Sequence, residues 1–221
     1  MATKSAFLQS PRADLPPAAQ ISLLRLPRRC EFLLEHVGPP PKRVLDAGCA
    51  SGYIALLLMH AGHGVTAIEI NPSMASDARD NGVDVMEHDL ETPLPLPAAS
   101  VDAVHACEVL EHLFDTEGFL RELHRVLVPG GVLIVSTPNL NSLANRVRVL
   151  RGRSLPMWGA FPDDRHGGHI RVFNRPKVEE LLDRSGFRVS VITGINQPRW
   201  ARSLDRVPSL SELLLIKAVA V

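Results

Sequence analysis

The chain has 221 residues, 45% of them hydrophobic and 22% charged, and its 24 basic and 24 acidic side chains cancel to a formal net charge of zero. That length suits one α/β domain with a sizeable core. The neutral balance gives no sign of a large basic surface and disfavours nucleic acid as a partner, although a local patch stays open. No run of about 18 uncharged apolar residues appears, so no membrane span is expected, and residues 1–17 lack the apolar stretch of a signal peptide. Cys30, Cys49 and Cys107 are scattered without a C-x-x-C pair, which reads as reduced structural thiols in a cytoplasmic protein.

Residues 1–17 read as a flexible arm. Residues 18–40 carry helical apolar spacing through Ile21, Leu23, Leu24, Phe32, Leu33 and Val37. Pro27 divides them into two helices, and the Gly38-Pro39-Pro40-Pro41 run stops the second. Arg43 to Ala47 is a short apolar strand that runs into a small-residue turn, and Tyr53 to His60 is a helix. A β-branched run from Gly64 to Glu69 is the second strand. A helix from Asn71-Pro72 to about Asp80 is closed by Asn81-Gly82.

Val83 to Leu90 is a third strand, followed by an irregular loop with Pro93, Pro95 and Pro97. Val101 to Ala106 is the fourth strand. Phe114 to Val128 is a helix, Pro129-Gly130-Gly131 a stop, and Val132 to Ser136 the fifth strand. Helices near Leu140–Leu150 and Arg175–Ser185, a strand from Phe187 to Thr193 and a final strand from Leu213 to Val221 complete the pattern. Strands that alternate with helices over short loops predict a doubly wound, mostly parallel α/β sheet of seven strands, the last antiparallel.

The turn after the first strand is the sharpest signal. Asp46 stands two residues before Gly48-x-Ala50-x-Gly52, and a strand–turn–helix with glycines lets backbone N–H groups approach a ligand closely. The dinucleotide fingerprint G-x-G-x-x-G is not completed, because position 53 is Tyr. The pattern resembles the D-x-G-x-G-x-G motif of class I S-adenosylmethionine-dependent methyltransferases, with Ala50 where glycine is usual.

The resemblance covers roughly 43–191 and includes the Leu127-x-Pro129-Gly130-Gly131 phrase. It implies a Rossmann-like fold that binds S-adenosylmethionine through Asp46, Gly48, Cys49, Ala50 and Gly52. It further implies Glu69 at the ribose and Asp89 at the adenine amino group, with Ile70, Leu90, Cys107 and Glu108 also binding the cofactor. Residues 18–40 would cover the cleft and 138–174 would form an insertion or lid on the acceptor side. Within that segment Met157, Trp158 and Phe161 sit in a long irregular stretch, and Arg146, Arg148, Arg151 and Arg153 form a basic group that either grips an acidic part of the acceptor or faces solvent.

Cys107-Glu108-Val109-Leu110-Glu111-His112-Leu113 follows the fourth strand. Read as a helix, it places Glu108, Glu111 and His112 on one face. The Glu108-Val109-Leu110-Glu111-His112 phrase resembles that of the ubiquinone-biosynthesis O-methyltransferases and of the small-RNA 3′-end 2′-O-methyltransferases. In both, the resemblance implies that Glu108, Glu111 and His112 can hold a divalent metal; in the RNA group a later histidine is the fourth ligand, and His169 is its match here. Two carboxylates and two imidazoles suit Mg²⁺, Mn²⁺ or Zn²⁺. Two other readings stand beside this one: Glu111, His112 and His169 as metal-free catalytic or substrate-site groups, and histidines that only satisfy local hydrogen bonds. His60, His63, His88, His105 and His124 receive no role. The Pro138-Asn139, Arg151-Gly152-Arg153 and His169 segments are also similar to a methionine-biosynthesis-associated methyltransferase group.

The expected activity is methyl transfer from S-adenosylmethionine to a small-molecule acceptor, at a hydroxyl oxygen. N- or C-methylation and RNA 2′-O-methylation are alternatives on the same fold. An NAD-dependent oxidoreductase and a non-catalytic cofactor-binding regulator are the rivals from other classes. The sequence leaves the acceptor and the oligomeric state open.

Overall fold

The computed structural model describes residues 27–155, 169–196 and 199–221. The predicted N-terminal arm and Met157, Trp158 and Phe161 lie outside them. So does the first of the two predicted leading helices. Helix α1 spans Pro27–His36, so Pro27 begins the second of them, where its missing N–H costs nothing.

A seven-stranded sheet has the order β3-β2-β1-β4-β5-β7-β6. Its strands are β1 Arg43–Ala47, β2 Gly64–Glu69, β3 Val85–Glu87, β4 Val101–Cys107, β5 Leu127–Pro138, β6 Phe187–Ile195 and β7 Leu213–Ala220. Strands β1 to β5 pair in parallel, whereas β7 runs antiparallel between β5 and β6. The doubly wound expectation therefore holds, including the antiparallel last strand. The helices that follow α1 are α2 Tyr53–His60, α3 Pro72–Asp80, α4 Thr116–Val126, α5 Leu143–Leu150 and α6 Arg175–Arg184.

Alternation along the strands decides which helices cover which face. Val44, Ala103, Ile134 and Leu215 pack with Phe32, Leu33 and Val37 of α1 and Leu58 of α2. Leu45, Val104, Leu133, Val135 and Ile216 point the other way, onto Phe119, Leu120, Leu123 and Val126 of α4 and Val178 and Leu182 of α6. The four apolar residues of α4 are all 1% exposed or less, and each such burial stabilises the fold by about 1.5–3 kcal/mol. A third group joins α2 and α3 through Ala55, Leu56, Ala75, Ala78, Val83 and Val85.

Several boundaries depart from the sequence-based expectation, three of them for a visible reason. Strand β5 begins at Leu127 because Leu127 pairs with Val101 before a register shift. Gly130, at φ 76°, bends the chain without ending the strand. Strand β3 is shorter than predicted: the Val83 N–H closes the end of α3 on the Ala78 carbonyl, and Asp89 Oδ1 accepts from the Glu91 N–H in a turn. The segment 107–113 is not an α-helix. Only Leu110–His112 make a 3₁₀ turn, and Glu108 sits in the left-handed region at φ 57°.

Candidate active site

The carboxyl ends of β1, β2, β4 and β5 meet where the strand order reverses, the place where open α/β sheets hold ligands. At β1 the turn is shaped by Gly48 and Gly52, with φ 76° and 78°. A Cβ on Gly48 would come within 2.8 Å of Val109 Cγ2, and one on Gly52 within 2.9 Å of Val83 Cγ2. Ala50, the position where glycine was expected, also has positive φ, 48°. The side chain is tolerated there at a conformational cost.

Helices α3, α4, α5 and α6 begin with side-chain caps from Asn71, Asp115, Ser142 and Asn174. Helix α2 has none: Gly52 occupies its cap position with no side-chain hydrogen bond. Its first N–H groups thus face the turn without a competing side-chain oxygen.

Glu69 is 8% exposed. Its Oε2 accepts from the Ala50 N–H at 2.9 Å and its Oε1 from the Asn71 N–H at 2.9 Å. The carboxylate thereby ties the β1 turn to the end of β2, and each oxygen keeps a further acceptor site. Beside it Ile70 is 61% exposed, unusual for a large apolar side chain, while Leu90 is buried and Asp89 exposed.

Asp46 is almost wholly buried. His105 lies opposite it on β4, with Nδ1 2.7 Å from Asp46 Oδ1. Burial by itself lowers the imidazole pKa, but Cys107 and Asp46 outweigh it and push it up to about 10. This pair was not legible in the sequence, which gives no strand register.

At the end of β4 the structure brings Glu111, His112 and His169 together, with their ligand-type atoms all within 4.8 Å of one another. The two imidazole rings meet edge to face at 4.8 Å. Glu111 is 1% exposed. Its Oε2 accepts from Thr137 Oγ1 at 3.3 Å, and its Oε1 has no partner among the described residues. Burial, and then the neighbouring Glu108 carboxylate, push the Glu111 carboxyl up to about 8. The Glu111 backbone carbonyl accepts from the N–H groups of Ile170 and Arg171, at 2.9 and 3.1 Å, which fixes the His169 segment over the 3₁₀ turn.

Glu108 is not part of this cluster. Its left-handed backbone turns the carboxylate to Ser136 Oγ, 2.9 Å from Oε1, and to Arg29 of α1, 3.3 Å from Oε2. Arg29, Ser136 and Thr137 are thus site residues that motif reading did not find. Their signal, a basic residue on α1 and two hydroxyls ending β5, emerges only from the fold. Among the described residues no helix is long and apolar enough to cross a membrane.

Comparison with known proteins places this geometry. Residues 20–190 match a family described as a methyltransferase domain. A "probable S-adenosylmethionine-dependent methyltransferase" of Mycolicibacterium smegmatis is 37% identical over 164 residues, covering 73% of this chain and 58% of the relative, so the chain spans little more than half of that protein. A ubiquinone biosynthesis O-methyltransferase of Xanthomonas axonopodis is 29% identical over 194 residues, 85% of this chain and 79% of the relative. Among solved structures, an S-adenosylmethionine-dependent methyltransferase of Archaeoglobus fulgidus has a TM-score of 0.68 at 18% identity, covering 91% of this chain and 94% of its own. One from Mesorhizobium loti has a TM-score of 0.65 at 20% identity, covering 86% and 95%. With its doubly wound sheet, its glycine turn and its match over 20–190, the chain belongs to the class I S-adenosylmethionine-dependent methyltransferases.

Proposed function

We propose that this chain transfers the methyl group of S-adenosylmethionine to a hydroxyl oxygen of a small-molecule acceptor. One observation carries the acceptor side of this reading: a buried carboxylate, Glu111, with one oxygen unpartnered among the described residues, stands against two imidazoles at the carboxyl ends of β4 and β5. The similarity to ubiquinone biosynthesis O-methyltransferases supports oxygen as the acceptor atom.

In this reading the turn 46–52 and the N-terminus of α2 receive the donor's amino-acid end. The free acceptor sites of Glu69 take the ribose hydroxyls, and Ile70 and Leu90 flank the adenine with Asp89 at its edge. Cys107 and Glu108 border the methionine end. Methyl transfer from a sulfonium is an in-line displacement, so holding the acceptor oxygen about 3–3.5 Å from the methyl carbon supplies much of the rate. An alcohol also needs a base. His112 and His169 stand ready to take its proton, and Glu111, whose carboxyl keeps a proton near neutral pH, orients them.

The residues also fit a divalent metal. Glu111 Oε1 is a buried oxygen without a partner among the described residues, and the two histidines complete a mixed carboxylate–imidazole set. A cation there would be held by Glu111, His112 and His169, with Glu108 left to Ser136 and Arg29, and it would lower the pKa of the acceptor hydroxyl. The assay is methyl transfer from radiolabelled S-adenosylmethionine to a panel of phenols and aliphatic alcohols, before and after EDTA. Activity lost with EDTA and restored by Mg²⁺, Mn²⁺ or Zn²⁺ assigns the cluster to a metal. Activity indifferent to EDTA assigns it to base catalysis. Transfer only to amines overturns the choice of oxygen.

A further inference from the structure

Asp46 and His105 occupy opposed positions on neighbouring parallel strands, on the sheet face that α1 covers. Asp46 is 1% exposed and His105 7%. The Nδ1 of His105 is 2.7 Å from Asp46 Oδ1, whereas Oδ2 has no partner among the described residues. Cys107 lies two residues further along the same face of β4. We infer that His105 is a positioning residue of the donor site: its Nδ1–H holds Asp46 by Oδ1, leaving Oδ2 as the oxygen offered to the ammonium group at the donor's amino-acid end. The inference rests on the donor placement proposed above.

The reason is the environment of the carboxylate. A buried aspartate without a partner gains a proton and stops accepting hydrogen bonds on both oxygens. A charge-assisted N–H donor prevents this and fixes the plane of the carboxylate. The other titratable groups beside the pair are Cys49 in the turn, itself a neighbour of Glu69 on β2, and Cys107 on β4, with Cys30 on α1 beyond it. Burial pushes the Cys30 and Cys49 thiols up to about 12, so neither brings a charge at neutral pH. Glu69 is occupied by two backbone N–H groups. That leaves His105 as the cation beside Asp46 among the described residues.

The test is calorimetric titration of the full chain with S-adenosylhomocysteine at about pH 6 and about pH 9, with His105→Leu, His105→Gln and Asp46→Asn beside the wild type. Loss of the buried partner in His105→Leu should weaken binding by about tenfold at the lower pH and less at the higher, where the wild-type imidazole itself nears its raised pKa of about 10. His105→Gln keeps an N–H donor and should stay within about threefold of wild type. Equal affinity of wild type and His105→Leu at both pH values overturns the inference. So does a His105→Gln variant as weak as His105→Leu with no pH dependence, which marks a purely structural role. If Asp46→Asn binds like the wild type, the donor placement itself is wrong; if it weakens binding while His105→Leu does not, only the inference about His105 fails. Should His105→Leu not fold, nitrogen-15 NMR of wild-type histidines decides. A ring protonated on both nitrogens at about pH 8 that shifts on adding S-adenosylhomocysteine supports the inference, and a neutral or unresponsive ring overturns it.

Discussion

The two halves of the cleft differ in how complete they are. On the β1–β2 side both oxygens of Glu69 already bind backbone N–H groups, and one oxygen of Asp46 already meets His105. On the β4–β5 side Glu111 keeps a buried oxygen unpartnered among the described residues, beside two histidines, and Glu108 is held in a left-handed conformation. Backbone strain and orphaned polar groups gather at functional sites, and each half carries both: Ala50 at φ 48° and Asp46 Oδ2 in the first, Glu108 at φ 57° and Glu111 Oε1 in the second. In the proposed reading the first half holds the donor and the second acts on the acceptor.

Substitutions should separate the halves. The largest effect belongs to Glu69→Ala, which strips two backbone N–H groups of their acceptor and removes the ribose partner. Affinity for S-adenosylhomocysteine should fall by about 100-fold, roughly 3 kcal/mol for two or three lost hydrogen bonds. Calorimetry that finds it unchanged would make the first half structural only. His169→Ala should show the opposite split, with turnover down about 100-fold and donor affinity within about twofold. Equal losses of both would merge the two halves.

Smaller effects refine the contrast. Ala50→Gly relieves a positive φ, so chemical denaturation should show a gain of up to about 1 kcal/mol. A loss there would mean that the methyl group packs usefully in the turn. The smallest effect lies at the opposite end of the strands, far from both halves. Hydrogen bonding to Arg43 lowers the Asp102 carboxyl from 3.8 to about 2. Its folded pKa is depressed, so its contribution is present above the ordinary value and disappears as pH falls toward about 2. Asp102→Asn should therefore be slightly less stable than wild type in urea at neutral pH, as expected for a partly exposed pair, and should match it near pH 2. A difference that persists in acid would point to packing instead.

Much of this was legible beforehand. The glycine turn, Glu69 and the strand–helix alternation carry local signals: positive φ, a strand-end acid, hydrophobic period. The histidines at 112 and 169, far apart in sequence, were paired through family resemblance, and the fold brings them together. What stayed hidden depends on register and backbone exceptions. His105 reads as one more strand residue until β4 is laid against β1. Glu108 looks like a partner of Glu111 until its φ of 57° turns it toward Ser136 and Arg29. The helix assumed over 107–113 failed for the same reason, because a residue in the left-handed region cannot continue one.

A crystal structure of the chain with S-adenosylhomocysteine bound decides between the two halves' roles in a single map. The ribose hydroxyls should lie against Glu69, the amino-acid end over the 46–52 turn, and the sulfur should face Glu111, His112 and His169. A nucleoside seated anywhere else, or a sulfur turned away from that cluster, contradicts the assignment of donor and acceptor sides.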